Sequence, residues 1–576
     1  MTPSKATNTR WLFVALVATV AAALVRLLFI DQGLWADEVQ SVEIAQKDLP
    51  ELLTRTGLLD VHPPLYYLVL KAWQWLGGES DLWVRLFSLS VGSLTVGCFV
   101  YWARQHVQGL ALLFGVAFLT FSTWHTHYSL EVRSYALLTF LTLLLTWQVE
   151  RWLSTPAAQA PSLRPVILLT IAVGLTHYYG LFCVAGLNIF VLTHANVRGE
   201  RAKIWAAGQA AALAGFAWWL PFFFVQAFDL PEGFTSHLQD GPALFDVVAG
   251  FGPATAAQTT LAVIAGGVML LLALWALRNM PFRAIPPDEN KAHTSSLRWL
   301  LAMAVLGLLL TAASPALIPD TTLDAGHPAL SAYMEQGFNI ASARVPWAII
   351  LIILSWLGLY GATRLPDGFP RHRQCSAAPF VIGAVLLIGG GLHLMQPSLS
   401  MRNLLVLLPM VALLASSGMK AFPPVAQGLS ILVITCLSGV SLSQATESFT
   451  PRADIRGAAE YILDEASDSK PQVYVVSAFD NGTLQRYLRP LPSQGIMDMR
   501  QLQGIRSSPV YVLLTREAWR DAERFREGIK RYLSWGFELS NRQPFREVEL
   551  LIFSPHERVR ESTRTHPSLG SVPLHK

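Results

Sequence analysis

Apolar runs long enough to cross a bilayer recur along most of this chain, and that pattern excludes an ordinary soluble fold. They fall near 11–30, 84–103, 107–123, 134–150, 165–177, 179–194, 204–225, 255–277, 299–318, 345–362, 379–396, 403–418 and 425–443. By the length criterion of about 20 residues per span these make roughly 13 spans, with a range of roughly 11–13. Composition agrees. Only 14% of the 576 residues are charged and mean hydropathy is +0.40, against about 25% charged in a soluble domain. The predicted fold class is therefore mainly α, a polytopic membrane helix bundle. The first run follows Lys5 and Arg10 as a signal peptide would. However, Arg26 interrupts it late and no small-residue cleavage site precedes Asp31, so it reads as an uncleaved first helix. The boundary near His177-Tyr-Tyr-Gly180 leaves two alternatives, a pair of short spans or one bent element.

Basic residues orient the bundle. With the N-terminus inside, the inner segments carry Lys5 and Arg10, Arg104, Arg151 and Arg164, Arg198, Arg201 and Lys203, then Arg278, Arg283, Lys291 and Arg298. Arg364, Arg371, Arg373 and Lys420 complete that set, while the opposite loop 226–254 has no lysine or arginine. Arg133, Arg344 and Arg402 are single arginines close to outer span ends. This alternation follows the positive-inside rule. It places the loop 31–83, with its interfacial helices, and the C-terminal region on the extracytoplasmic side. No basic stretch reads as a nucleic-acid patch. Cys98, Cys183, Cys375 and Cys436 stand singly, with no metal or disulfide spacing.

The predicted domains are a membrane part over 1–445, a small soluble α/β domain over 446–555, and a disordered polar tail over 556–576. Within the soluble domain, 452–463 predicts a helix, 473–476 a strand, Asn481-Gly a turn into a helix, and 510–514 a second strand. Residues 516–535 predict a charged amphipathic helix and 548–553 a last strand.

Candidate chemistry lies in the outer loops. Asp37 and Glu38 are adjacent acids where the first span leaves the bilayer, a costly place for carboxylates unless they are solvated, paired or used. They read either as a general base with a supporting neighbour or as a solvated pair capping the next helix. His62-Pro63-Pro64 forces an extended entry into an aromatic segment with Tyr66, Tyr67, Trp73 and Trp75, an interfacial anchor in which His62 is either functional or a bystander. After the third span, Glu131 and Arg133 offer an acid and a phosphate-binding fork, or a local ion pair. His125 and His127 are two residues apart and so do not share a helical face, which argues against a metal there. His177 and Tyr178 lie in a short outer turn. His327, Tyr333, Glu335 and Arg344 lie in the loop 319–344. Arg402 opens a late span, where it can meet a lipid phosphate or simply snorkel.

In their order and placement these segments resemble the GT-C superfamily of membrane glycosyltransferases. The branch is the bacterial one similar to dolichyl-phosphate-mannose protein mannosyltransferases and to the aminoarabinose transferase of lipid A. The resemblance rests on the Asp37-Glu38 pair, HPPLYYLVLKAW after it, Trp83-Val-Arg85 opening the second span, SLEVRSYAL, THYYGLF, SMRNLLVLLP, and DIRGAAEYI at the start of the tail. It implies a polyprenyl-phosphate sugar donor used on the outer face, with membrane lipids as partners and a glycan, lipid or protein acceptor. It implies Asp37 as base and Glu38 as its support or an acceptor contact. His62, Tyr66, Arg85, Glu131, Arg133, His177, Tyr178, Arg344 and Arg402 are then candidate substrate contacts. Some members use a divalent metal, so a metal stays possible. The alternative is a transporter or flippase of lipid-linked sugars, which would favour pseudo-symmetric halves; none stands out.

Overall fold

A computed structural model describes residues 5–156, 160–194, 196–228, 376–395, 401–448, 453–466, 471–496, 499–502, 505, 509–515, 522–533 and 536–556. The spans predicted at 255–277, 299–318 and 345–362 lie outside these residues, as do His327, Tyr333, Glu335 and Arg344. The chain divides into two compact units, Met1–Ile30 with Val42–Thr446 and Asp31–Ser41 with Glu447–Lys576. The second unit thus begins with the first residues of the loop 31–83.

The described residues are mainly helical. In chain order the helices are α1 (Lys5–Leu27), α2 (Ala36–Gln46), α3 (Leu49–Leu59), α4 (Leu65–Gly77), α5 (Asp81–Ala103), α6 (Gly109–Phe121), α7 (Thr123–Leu130), α8 (Tyr135–Ser154), α9 (Arg164–Thr176) and α10 (Tyr179–Leu192). They continue as α11 (Gly199–Ala217), α12 (Leu220–Phe228), α13 (Ala378–Met395), α14 (Met401–Leu404), α15 (Leu408–Met419) and α16 (Pro424–Ser448). Among the described residues three segments are long and apolar enough to cross a membrane: Asn8–Leu27, α5, and Arg402–Met419. Two bent pairs also qualify if each is one span, α6 with α7 at 48° and α11 with the start of α12 at 66°.

The loop expected after the third span is mostly helix. Ser122 ends α6 with a non-helical backbone (φ −53°, ψ 117°) and caps α7, its Oγ accepting the His125 amide at 3.2 Å, so a new helix starts at once after the bend. At His177-Tyr178 the structure breaks the chain into α9 and α10, of 13 and 14 residues. Each rises about 20 Å, short of the ~30 Å hydrocarbon core.

Small residues let the helices approach. A Cβ on Gly97 of α5 would lie 2.8 Å from the Ala15 carbonyl oxygen of α1, and one on Gly186 of α10 would lie 2.6 Å from that of Phe380 in α13. Glycine therefore sets both crossings, as small residues do between helices in lipid. The lipid-ready surface is visible on α1, where Leu12, Phe13, Leu16, Val20 and Leu24 stay exposed.

Buried polar groups pin the helices where packing alone would allow sliding. Arg26 of α1 donates to the Ala22 carbonyl at 2.8 Å and to Nδ1 of His125 at 2.7 Å. This contact occupies Nδ1 of His125 inside the helix packing. At the opposite ends of the helices the buried Glu150 carboxylate accepts from Trp102 Nε1 at 2.6 Å, His106 Nε2 at 2.9 Å and the Ala377 amide at 2.7 Å. It ties α8 to α5 and to the residue before α13. Glu150→Ala would strand three buried donors, each costing about 1–3 kcal/mol. A clearly lowered thermal midpoint in detergent is the expected result, with Glu150→Gln milder because it keeps an acceptor.

The second unit carries α17 (Ile455–Glu465), β1 (Gln472–Val475), α18 (Ala478–Leu488), β2 (Ser493–Gly495), β3 (Val510–Thr515), α19 (Ala522–Leu533), β4 (Phe537–Phe545) and β5 (Val548–Pro555). The sheet order is β2-β1-β3-β5-β4, with β1 parallel to β2 and β3, and β5 antiparallel to β3 and β4. Apolar residues of α17 and α18 pack on one face and those of α19 on the other. Asn481-Gly is inside α18, not in a turn. Ser477 caps that helix at the Asp480 amide, and buried Leu484 and Leu488 anchor it, which outweighs the local turn preference of Asn-Gly.

Candidate functional site

Within the first unit, side chains from three separated connections and one short helix meet. The stretch between α3 and α4 supplies Asp60 and His62, that between α7 and α8 supplies Arg133, the α9–α10 break supplies His177, and α14 supplies Arg402. The topology reading puts all of these at one set of span ends, opposite the ends gathered by Glu150.

Asp60 organises the site. One carboxylate oxygen accepts the Val61 amide at 2.7 Å, the His62 amide at 2.9 Å and His62 Nδ1 at 2.8 Å; the other accepts the Tyr67 hydroxyl at 2.9 Å. The two prolines that follow fix the chain so that α4 begins at once, with Pro64 at its N-cap. Tyr67, one turn in, then reaches back to Asp60. Both Asp60 and His62 are buried. Burial alone would raise the Asp60 pKa, but the His62 hydrogen bond and charge, the Arg133 charge and the Tyr67 hydroxyl hold it well below the usual carboxylate range. Asp60 is therefore an anion, and Nδ1 of His62 must be the donor to it.

Arg133 lies beside this pair, its Nη2 3.1 Å from His62 Nδ1 and its Nη1 3.5 Å from the Tyr67 oxygen. Nδ1 already carries a proton, so the Arg133 contact is charge against a ring edge, not a hydrogen bond. The His177 ring centroid sits 5.0 Å from that of His62, Tyr135 lies 6.3 Å from His62, and the Arg402 guanidinium lies 5.9 Å from the Tyr135 ring. Nδ1 of His177 accepts the Tyr179 amide at 3.1 Å, which leaves the ring proton on Nε2. Burial lowers the pKa of His62, reinforced by Arg133 and Arg402 and opposed by Asp60. Burial also puts His177 well below its ordinary value, reinforced by His62, Arg133 and Arg402.

These shifts have a stability consequence. The unfolded chain protonates both histidines near 6.5, where the folded chain keeps them neutral, so it binds more protons below that pH. Stability is then full above about 6.5 and falls as the solution is acidified; loss of the Asp60 contribution follows below its ordinary 3.8. The thermal midpoint should drop between pH 7.5 and 5, and His177→Gln should flatten that slope.

Other sequence candidates take framework contacts. Arg85 donates to the Leu130 carbonyl at 2.6 Å and so holds the end of α7, next to buried Glu131. Tyr178 hydrogen-bonds to Gln226 and receives Trp219 Nε1 at 3.0 Å, directing it to α12 and the link before it. Buried Tyr66 stacks edge-on against Tyr67 at 5.6 Å. On the same helix Trp75 is 85% exposed, which suits an interfacial anchor.

Asp37 and Glu38 belong to the second unit. Glu38 is buried, and its Oε2 accepts the Trp35 amide at 3.1 Å, the helix-capping role weighed for this pair. Asp37 is half-buried in the first turn of α2. The segment is held by tail-domain residues of its own unit: the Leu34 amide donates to the Tyr487 hydroxyl at 2.6 Å, and Arg456 pairs with Asp31 at 3.1 Å. Among the described residues no group of three His, Cys, Asp or Glu side chains has metal-holding geometry.

Sequence reasoning passed over Asp60, Tyr67 and Tyr135 as site residues. The available signal was Asp-x-His before Pro-Pro, since an aspartate commonly accepts backbone amides one and two residues on.

No family model and no curated protein matches the chain. Solved structures do. ArnT from Cupriavidus metallidurans in the apo state is similar at 16% identity and TM-score 0.41, over 96% of this chain and 98% of that one. The same protein bound to undecaprenyl phosphate gives 14% identity and TM-score 0.40, over 96% and 98%. The Archaeoglobus fulgidus oligosaccharyltransferase in complex with Zn and sulfate gives 10% identity and TM-score 0.37, over 91% and 71%.

Proposed function

We propose that this chain is an integral-membrane glycosyltransferase of GT-C type in a bacterial cytoplasmic membrane. It moves a sugar from a polyprenyl-phosphate donor to an acceptor on the extracytoplasmic face. The supporting observation is the approach of Arg133 to a buried histidine–carboxylate pair and of Arg402, from a distant segment, to the Tyr135 ring beside that pair, at what the charge pattern reads as the outer span ends. Such a site suits a lipid-borne phosphate. Two guanidiniums supply fixed positive charge that cannot titrate away, and a dry setting strengthens their hold on charge that develops in the transition state.

The donor already carries its leaving group. As the acceptor oxygen attacks C1 of the sugar, its hydroxyl proton passes to a base, the role that the family resemblance assigns to Asp37. The C1–O bond to phosphate breaks, its electron pair stays on the phosphate oxygen, and Arg133 and Arg402 meet the added charge. One displacement inverts the anomeric carbon. Mass analysis of envelope glycans, lipids and proteins in a strain lacking the chain should show one sugar missing from one acceptor class, restored by the wild-type copy. An unchanged envelope would count against the assignment.

A further inference from the structure

The Asp60–His62 pair leaves one ring atom uncommitted. Nδ1 of His62 donates to Asp60, so Nε2 carries a lone pair, and among the described residues it meets no hydrogen-bond partner. His177, 5.0 Å away, presents the opposite face, with Nδ1 occupied and the proton on Nε2. The site thus offers an acceptor from one histidine and a donor from its neighbour. The groups around His62 are Asp60 from the α3–α4 connection, Arg133 from the α7–α8 connection, Tyr135 from α8, His177 from the α9–α10 break and Arg402 from α14, with Tyr67 of α4 on the far oxygen of Asp60. The arginines do not titrate. Burial pushes the Tyr67 phenol well up, so the imidazoles are the groups here able to change charge near neutral pH.

We propose that His62 takes up a proton when a phosphate monoester replaces a phosphate diester at this site, giving the product one more positive charge than the substrate met. The proposal rests on the phosphate reading of the site given above. The diester donor bears one negative charge. After C1–O cleavage the electron pair stays on the phosphate, and the resulting monoester has a second ionisation near pH 6, so it is mostly a dianion at pH 7.5. The acceptor's proton has left through the base to water, and water returns one to Nε2 of His62. The imidazolium is then flanked by the Asp60 carboxylate through Nδ1–H, as an aspartate stabilises a catalytic imidazolium. The second phosphate charge opposes the guanidiniums that add to burial in keeping His62 neutral in the free protein. Loss of the same proton later weakens the hold on the monoester and resets the site.

The test is calorimetric and uses the full chain in detergent micelles at pH 7.5. Farnesyl phosphate, a monoester, and farnesyl methyl phosphate, a diester, are each titrated in two buffers of different ionisation heat. The buffer dependence reports protons taken up on binding. The expected result is uptake approaching one proton for the monoester and none for the diester, with the monoester's uptake lost in His62→Gln and retained in His177→Gln. If His62→Gln does not fold, His62→Asn keeps an amide donor for Asp60 and serves instead. Monoester binding without uptake, or uptake that survives loss of His62, overturns the proposal while leaving the phosphate site standing. Failure of both esters to bind removes the phosphate site itself, and this proposal with it.

Discussion

Asp37→Asn is expected to leave the protein inserted and folded while cutting sugar transfer by about 10²–10⁴-fold, the usual contribution of a general base. The substitution is nearly isosteric and sits in the first turn of α2, where asparagine is well tolerated. The cap that shapes this turn comes from Glu38, whose Oε2 accepts the Trp35 amide, so the backbone should survive. What is lost is a carboxylate able to take a hydroxyl proton. The loss should appear in kcat, with the KM for the donor little changed, because Asp37 is assigned to the acceptor's proton and not to the phosphate. Glu38→Gln keeps the cap oxygen and should cost far less. Equal losses in the two variants would move the base from Asp37 to the pair as a whole.

Arg133→Gln is expected to lower kcat/KM by about 10²–10³-fold, comparable to removing one preorganised group from a developing anion. It carries a second signature. Arg133 is among the charges that hold His62 below its ordinary pKa, so removing it makes His62 easier to protonate. The acid limb of the pH–rate profile should therefore move to higher pH. Arg133→Lys keeps the charge but loses the planar fork, so it should restore the limb while recovering only part of the rate. A loss of rate with an unmoved limb would place Arg133 outside the His62 environment.

Much of this was legible in the chain because lipid leaves few options: a run of span length without water must be helical. Likewise, side chains at alternate span ends share a side. Hence Arg133, His177 and Arg402, far apart in sequence, were placed together before any geometry. The distinction between working and framework residues was not legible. Arg85 and Tyr178 carry the same residue types as the site, and the contacts that occupy them, the Leu130 carbonyl and the Gln226 amide, depend on tertiary approach. Asp60 was hidden for the converse reason. Its importance lies in four hydrogen bonds made at once, two of them to backbone that only the Pro-Pro entry holds in place. In the tail domain β4 escaped notice because much of its length is polar and open to solvent, giving little alternation, and β2 has only three residues. The attachment of Leu34 to Tyr487 joins residues 453 positions apart, and no local pattern announces it.

The central claim is transfer of a sugar from a lipid-linked phosphate. Its most direct test reconstitutes the purified chain in liposomes with a polyprenyl-phosphate donor labelled in the sugar, together with an envelope extract as acceptor source. The prediction is that label leaves the lipid, free polyprenyl phosphate accumulates, and both changes stop in Asp37→Asn. Label that crosses the bilayer while remaining on its lipid, unaffected by Asp37→Asn, would contradict it and identify a transporter instead.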